Sequence, residues 1–344
     1  MGLLDRVKRL FWKIDDSSHE VHFERSEKPF ADQQINFAEE KLNKVLLFHN
    51  NEWTHYESVV KVKNVTVEPQ YAYAVSGLNT VVSASIRTRE TLPSPLPMIK
   101  AKLFGRQKKM DQAILFDGSL GASFFHLFSD VLHKIYVLED LNLMHGPLLV
   151  GESVFRNPVF QDLITQTRLR DYNWHLITEP IAVNTLIIAR PMPYEANHWR
   201  RSRALFIKDE HQPKPEKRLF INRSGRRQII NMNEVRPILE KWNIEVIDPG
   251  EHSISEQAAL FNSAAIIVGI HGAGLTNLLF CDHNTTKVLE ICASDGIGCH
   301  YYWMCTALGM DWRMVLGNKG NADQSFSLSA NKLDAALQEL LVTT

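Results

Sequence analysis

The chain has 344 residues but only four cysteines, Cys281, Cys292, Cys299 and Cys305, none of them in a C-x-x-C pair. That usage fits reduced core or near-surface thiols in a reducing compartment. No apolar run reaches the roughly 18 residues of a membrane-spanning helix, and no secretory leader is visible. Neither charge sign dominates: the net charge is −1, so the broad basic field of a nucleic-acid binder is missing and no nucleic-acid partner is expected. Internal repeats and low-complexity blocks are absent. No D-x-D follows a strand, no H-E-x-x-H occurs, and the histidines keep no ligand spacing, so neither a metal nor another cofactor is expected.

What remains is an ordinary globular composition, 44% hydrophobic and 22% charged, long enough for two domains. The break falls at 208–217, a charged stretch with Pro213 and Pro215 and no apolar residue. It separates a domain at 1–207 from one at 218–330, with a final amphipathic helix at 331–344 expected to pack back on the first. In the second domain, strands at 219–221, 244–247, 265–270 and 288–291 alternate with helices at 233–242, 254–261 and 301–308. The pattern Ser253…Glu256 is a capping box. Alternation of this length implies a parallel, doubly wound sheet. The first domain is also α/β with extra β material in front. Strands are expected at 45–49, 81–84, 113–116, 148–150 and 186–189, and helices at 124–141 and 158–169.

Three clusters carry chemistry. In the run 266–277 a β-branched strand breaks at His271, Gly272, Ala273 and Gly274 into an apolar helix start that includes Asn277. Unpaired N–H groups and the helix dipole at such a start attract anions, and glycines allow close approach. The second is the loop Asn222-Arg223-Ser224-Gly225-Arg226-Arg227 with Asn231 and Glu234, whose guanidinium groups suit a phosphate. The third is His126 and Asp130, four apart on one helix face, where either serves as a general base. Glu290, at the end of the next strand, suits a ribose hydroxyl pair. The basic amphipathic segment 2–13, with Leu3, Leu4, Val7, Leu10 and Phe11 among Arg6, Lys8, Arg9 and Lys13, suits peripheral contact with an anionic membrane.

Together, Arg223…Arg227, Asn231, Glu234, Gln257, 269–278 and Glu290, with the helix sequence 125–132, resemble glycosyltransferase family 61 over about residues 110–320. The resemblance implies a GT-B-like architecture, two Rossmann-like domains facing each other across a cleft, and an inverting, metal-independent transfer from a nucleotide-sugar, commonly a UDP-sugar. It implies that Arg223, Arg227, Asn231, Asn277 and the 271–274 turn meet the donor, that Glu290 meets the ribose, and that Asp130 or His126 acts on the acceptor side. It further implies a glycan or lipid-linked acceptor in surface polysaccharide synthesis. The lack of a visible secretory context points to a bacterial enzyme in the cytoplasm, at the inner face of the membrane. The alternative readings are a non-catalytic nucleotide- or glycan-binding module and a pyruvyl or acyl transferase on a similar fold.

Overall fold

The computed structural model describes residues 11–15, 17, 19–86, 92–105, 107–118, 120–208, 214–223 and 225–342. The segment 2–13 read as a basic helix therefore lies outside the described residues up to position 10, and Lys13 opens a strand. Part of the stretch read as a linker, 209–213, also lies outside them. The chain forms two compact units. Unit 1 is Met1–Glu27 with His55–Pro193. Unit 2 is Lys28–Thr54, which holds helix α1 (Glu40–Glu52), with Tyr194–Thr344.

The expected boundary at 207 thus differs from the observed division. Helix α1, read from sequence as a strand at 45–49, buries Leu42 and Leu46. Its buried Asn50 accepts a hydrogen bond from Trp303 Nε1 at 2.7 Å, which ties it to unit 2. A short apolar run does not distinguish helix from strand, and periodicity does not say which domain a helix joins.

Unit 1 contains, among the described residues, a nine-stranded mixed sheet in the order β1-β5-β4-β3-β9-β6-β7-β8, with β2 also paired to β3. The strands are β1 (Lys13–Asp15), β2 (His19–Glu27), β3 (His55–Val67), β4 (Ala74–Ser76), β5 (Thr80–Val82), β6 (Lys108–Asp117), β7 (Leu148–Val150), β8 (Trp174–Leu176) and β9 (Ile181–Arg190). The pairs β9–β6, β6–β7 and β7–β8 are parallel, whereas β3 pairs antiparallel with its neighbours. The antiparallel half is the extra β material. Helix α2 (Pro95–Phe104) precedes β6. The helix expected at 124–141 is present as α3 (124–140), with its middle, Leu127–Leu132, in π conformation.

Unit 2 is built on a five-stranded sheet, β11-β10-β12-β13-β14, with every neighbouring pair parallel. Its strands are β10 (Lys217–Ile221), β11 (Glu245–Ile247), β12 (Ala264–Ile270), β13 (Lys287–Ala293) and β14 (Asp311–Gly317). Numbered within the unit, the order is 2-1-3-4-5. In such sheets the connections leave in opposite directions between strands 1 and 3, and ligands bind outside the carboxyl ends there. One face packs Phe220, Val268, Leu289 and Ile291 against helices at Met232–Lys241 and Ala330–Val342. The second of these helices contributes Leu333, Leu337 and Leu340 to that core. It therefore packs within unit 2, not back on the first domain, because its apolar stripe matches this sheet face.

Candidate donor site at the switch point

The loop after β10 and the turn after β12 leave adjacent parallel strands at their carboxyl ends. This is the switch point of the 2-1-3-4-5 order. Both of the sequence clusters read as anion-binding meet here. Arg223 donates from Nη1 to the His271 carbonyl at 3.0 Å, and Arg227 Nη1 reaches the same oxygen at 3.4 Å. The loop is held from the other side of the unit: Arg227 donates its backbone N–H to Asp323 O at 3.0 Å, and Phe326 N–H reaches Gln228 O at 2.9 Å. Neither arginine forms an ion pair among the described residues, and the Arg227 Nε is buried without a hydrogen-bond partner. Burial, and then the neighbouring Arg227 charge, pull the Arg223 guanidinium below its ordinary value. Two half-buried like charges on one carbonyl favour a negative ligand.

The turn itself differs in one respect from the expected α-helix start. Ala273–Phe280 is a 3₁₀ helix, opened by the Leu275 N–H bond to Gly272 O at 2.9 Å. Leu275, Leu278, Leu279 and Phe280 are all buried, so packing sets the tight winding. Asn277 is fully buried, and its Nδ2 donates to Gln257 Oε1 at 2.8 Å and Gly274 O at 3.1 Å. Asn231 fastens its loop, with Nδ2 on Leu328 O at 3.0 Å and Oδ1 accepting from Leu328 N–H at 2.9 Å. Both asparagines were expected to touch the donor; their amides hold the loops that carry the arginines and the 271–274 turn, with Asn277 Oδ1 buried and without a partner.

Glu290 also departs from its expected role. It lies in the middle of β13 and not at its end, and is fully buried. One oxygen takes His271 Nδ1 at 2.5 Å and the other takes Trp312 Nε1 at 2.9 Å. Each oxygen thus has one partner, and Glu290 orients the His271 ring. The ring is further bounded by Tyr301, 5.5 Å away edge-on, and by Gly298, where a Cβ would fall 2.6 Å from Cε1. Burial pushes the Tyr301 hydroxyl well up from its ordinary value.

A cavity of about 260 Å³ opens beside His271 and Arg227 and runs past Cys292 to Asp295, Asn321 and Gln324. These last three were missed from sequence. They stand in the loops after β13 and β14, so position at a strand's carboxyl end was the available signal. All four cysteines are buried and free. In unit 1, His126 Nδ1 meets Asp130 Oδ2 at 2.9 Å, with both side chains partly exposed at the π segment of α3. Such single π turns frequently mark functional positions. Among the described residues, no group of three or more His, Cys, Asp or Glu side chains is arranged to hold a metal ion, and no helix is long and apolar enough to cross a membrane.

The fold is that of an α/β protein in which two arginines after one strand of a parallel sheet reach the turn after its neighbour. Residues 124–289 match the family described as Glycosyltransferase 61, a span that includes His126, Asp130, Arg223, Arg227 and the 271–274 turn. The chain is similar to a rice (Oryza sativa subsp. japonica) beta-1,2-xylosyltransferase, 33% identical over 95 residues, which is 26% of this chain and 20% of that protein. A second rice beta-1,2-xylosyltransferase is 35% identical over 88 residues, 25% of this chain and 15% of that protein. A rice alpha-1,3-arabinosyltransferase is 39% identical over 73 residues, 20% of this chain and 13% of that protein. The matches thus span a fifth or less of these relatives' lengths. They support glycosyltransferase family 61 and a glycosyltransferase. The relatives are plant proteins, so a bacterial source draws no support from them.

Proposed function

We propose that the chain transfers a sugar from a nucleoside-diphosphate sugar, with Arg223, Arg227 and the 271–274 turn binding the diphosphate. The observation that carries this reading is the convergence of two guanidinium groups, neither ion-paired among the described residues, on the His271 carbonyl at the switch point. The relatives' names favour a pentose as the sugar, and the acceptor we propose is a glycan. A GT-B-like division of labour gives unit 2 the donor and unit 1 the acceptor and the base. In an inverting displacement, Asp130 or His126 takes the proton of the acceptor hydroxyl as its oxygen attacks the anomeric carbon. The bond from that carbon to the diphosphate oxygen breaks, and the nucleoside diphosphate leaves with the electron pair. The arginines and backbone N–H groups meet the charge that develops there, the task a divalent ion performs in other transferases.

Calorimetric titration of UDP in EDTA tests the site. Binding is expected without metal, and Arg227→Ala is expected to weaken it about tenfold or more, the loss of one charge-assisted contact. UDP affinity unchanged in that variant removes Arg227 from the site. A UDP-pentose panel with glycan acceptors tests turnover. UDP binding without release of sugar favours the non-catalytic module, and no nucleotide binding favours a pyruvyl or acyl transferase.

A further inference from the structure

Helix α2 in unit 1 buries Pro95, Met98 and Ala101 and turns its other side outward. Leu96, Leu103 and Phe104 are 60%, 71% and 75% exposed. They stand at i, i+7 and i+8, so they share one face, with exposed Lys100 between them. Exposed Lys108 and Lys109 follow it at the start of β6. Lys100 and Lys109 form no ion pair among the described residues. Large apolar side chains in a solvated face ringed by cations are otherwise unfavourable on a surface.

The base of this helix also holds Phe11 and Trp12. Met98 packs in one cluster with Trp12, Tyr73, Val75 and Val81, and Phe11 lies against it. Trp12 donates from Nε1 to Pro93 O at 2.9 Å, next to the start of α2. The sequence leading to that anchor carries Arg6, Lys8 and Arg9 against a single acid, Asp5.

We propose that the outer face of α2 docks on an anionic phospholipid surface, with Leu103 and Phe104 entering the headgroup boundary and the lysines facing lipid phosphates. The charge pattern selects this occupant. A second copy of the chain would set these lysines near their own kind, whereas an anionic bilayer pairs with each of them. The face is independent of the donor site, so this proposal stands or fails apart from the transferase reading.

The test is co-sedimentation of the full chain with phosphatidylcholine vesicles, alone and with about 30% phosphatidylglycerol. Binding is expected only to the anionic vesicles, and is expected to weaken at about 0.5 M salt as the charges are screened. Leu103→Asp with Phe104→Asp is expected to lower the partition coefficient about tenfold or more, with the circular-dichroism spectrum and Tm unchanged as proof of folding. Equal sedimentation of wild type and variant with anionic vesicles overturns the proposal. So does light scattering that shows a dimer in the wild type and a monomer in the variant, since the face would then be a self-association surface.

Discussion

At Gly272 the backbone sits at φ +155°, ψ −179°, a region that is essentially restricted to glycine. A Cβ there would also fall 1.3 Å from Arg223 Nη1. The guanidinium therefore occupies the volume a side chain would need, and the glycine is what lets Arg223 reach the His271 carbonyl. Gly272→Ala is expected to displace Arg223 and strain the turn together. Backbone strain of this kind costs about 1–3 kcal/mol, read as a fall in Tm, and UDP affinity should drop about tenfold with the lost contact. Unchanged affinity would show that Arg223 does not act through this position. Residue roles were unevenly legible in the sequence. The glycines and arginines announce an anion site because their chemistry is local. Glu290 does not announce its partners: alternation along β13 says which face it takes, but only the pairing of β12 with β13 brings it beside the turn that carries His271. Asn231 and Asn277 sit at the right places in the chain, yet their amides fill the hydrogen-bonding needs of loops that sequence does not show closing on one another.

At the scale of single elements, the helix Ile254–Asn262 rests on a capping box that is complete in the structure. Ser253 Oγ accepts from Glu256 N–H at 3.3 Å, and Glu256 Oε2 accepts from Ser253 N–H at 2.8 Å. This helix carries Gln257, which holds Asn277 beneath the donor turn, so its first turn bears on the site. Ser253→Ala is expected to cost about 1 kcal/mol, measured by denaturant unfolding. The Ser253 contacts hold the Glu256 carboxyl below its ordinary value. Stability from this cap is present above the unfolded carboxylate range and is lost as pH falls through the lowered folded value. Ser253→Ala should therefore also flatten the acid limb of the stability curve, and an unchanged limb would deny the cap that role. Elements with strong local signals, such as this cap and the Ile- and Val-rich strands of unit 2, were readable in advance. Helix α1 was not, because its apolar run Val45, Leu46, Leu47 and Phe48 has no period that separates helix from strand. The π segment of α3 was also hidden. One widened turn does not alter the apolar pattern of 124–140, but it changes the backbone beside His126 and Asp130.

For the molecule as a whole, each unit holds a histidine whose charged form is disfavoured by desolvation. In unit 2, burial pushes His283 down to about 4, opposed by its bond to Leu279 O and reinforced by the charges of Arg203 and Arg200. In unit 1, burial likewise lowers His55, against a contact with Pro193 O. Both have an ordinary value of 6.5, which is the value they regain on unfolding. Between pH 6.5 and the folded value, the unfolded chain binds more protons than the native one, so stability rises with pH across that window. The contribution is complete above pH 6.5 and is lost progressively on acidification toward about 4 for His283. Paired carboxylates such as Glu256 and Asp334, both held below their ordinary values, begin to contribute only at the acid end of this range. Burial raises the Glu68 carboxyl from its ordinary value, which acts in the opposite sense within this window, so His283 is isolated by comparing a variant with the wild type. His283 Nε2 meets Leu279 O at 3.1 Å, a bond that a glutamine amide can supply without titrating. His283→Gln is accordingly expected to leave Tm near pH 7.5 little changed and to reduce its decline between about pH 6.5 and 5. The measurement is Tm against pH for wild type and variant by scanning calorimetry. Parallel curves across that interval would mean that His283 is not held neutral in the folded chain.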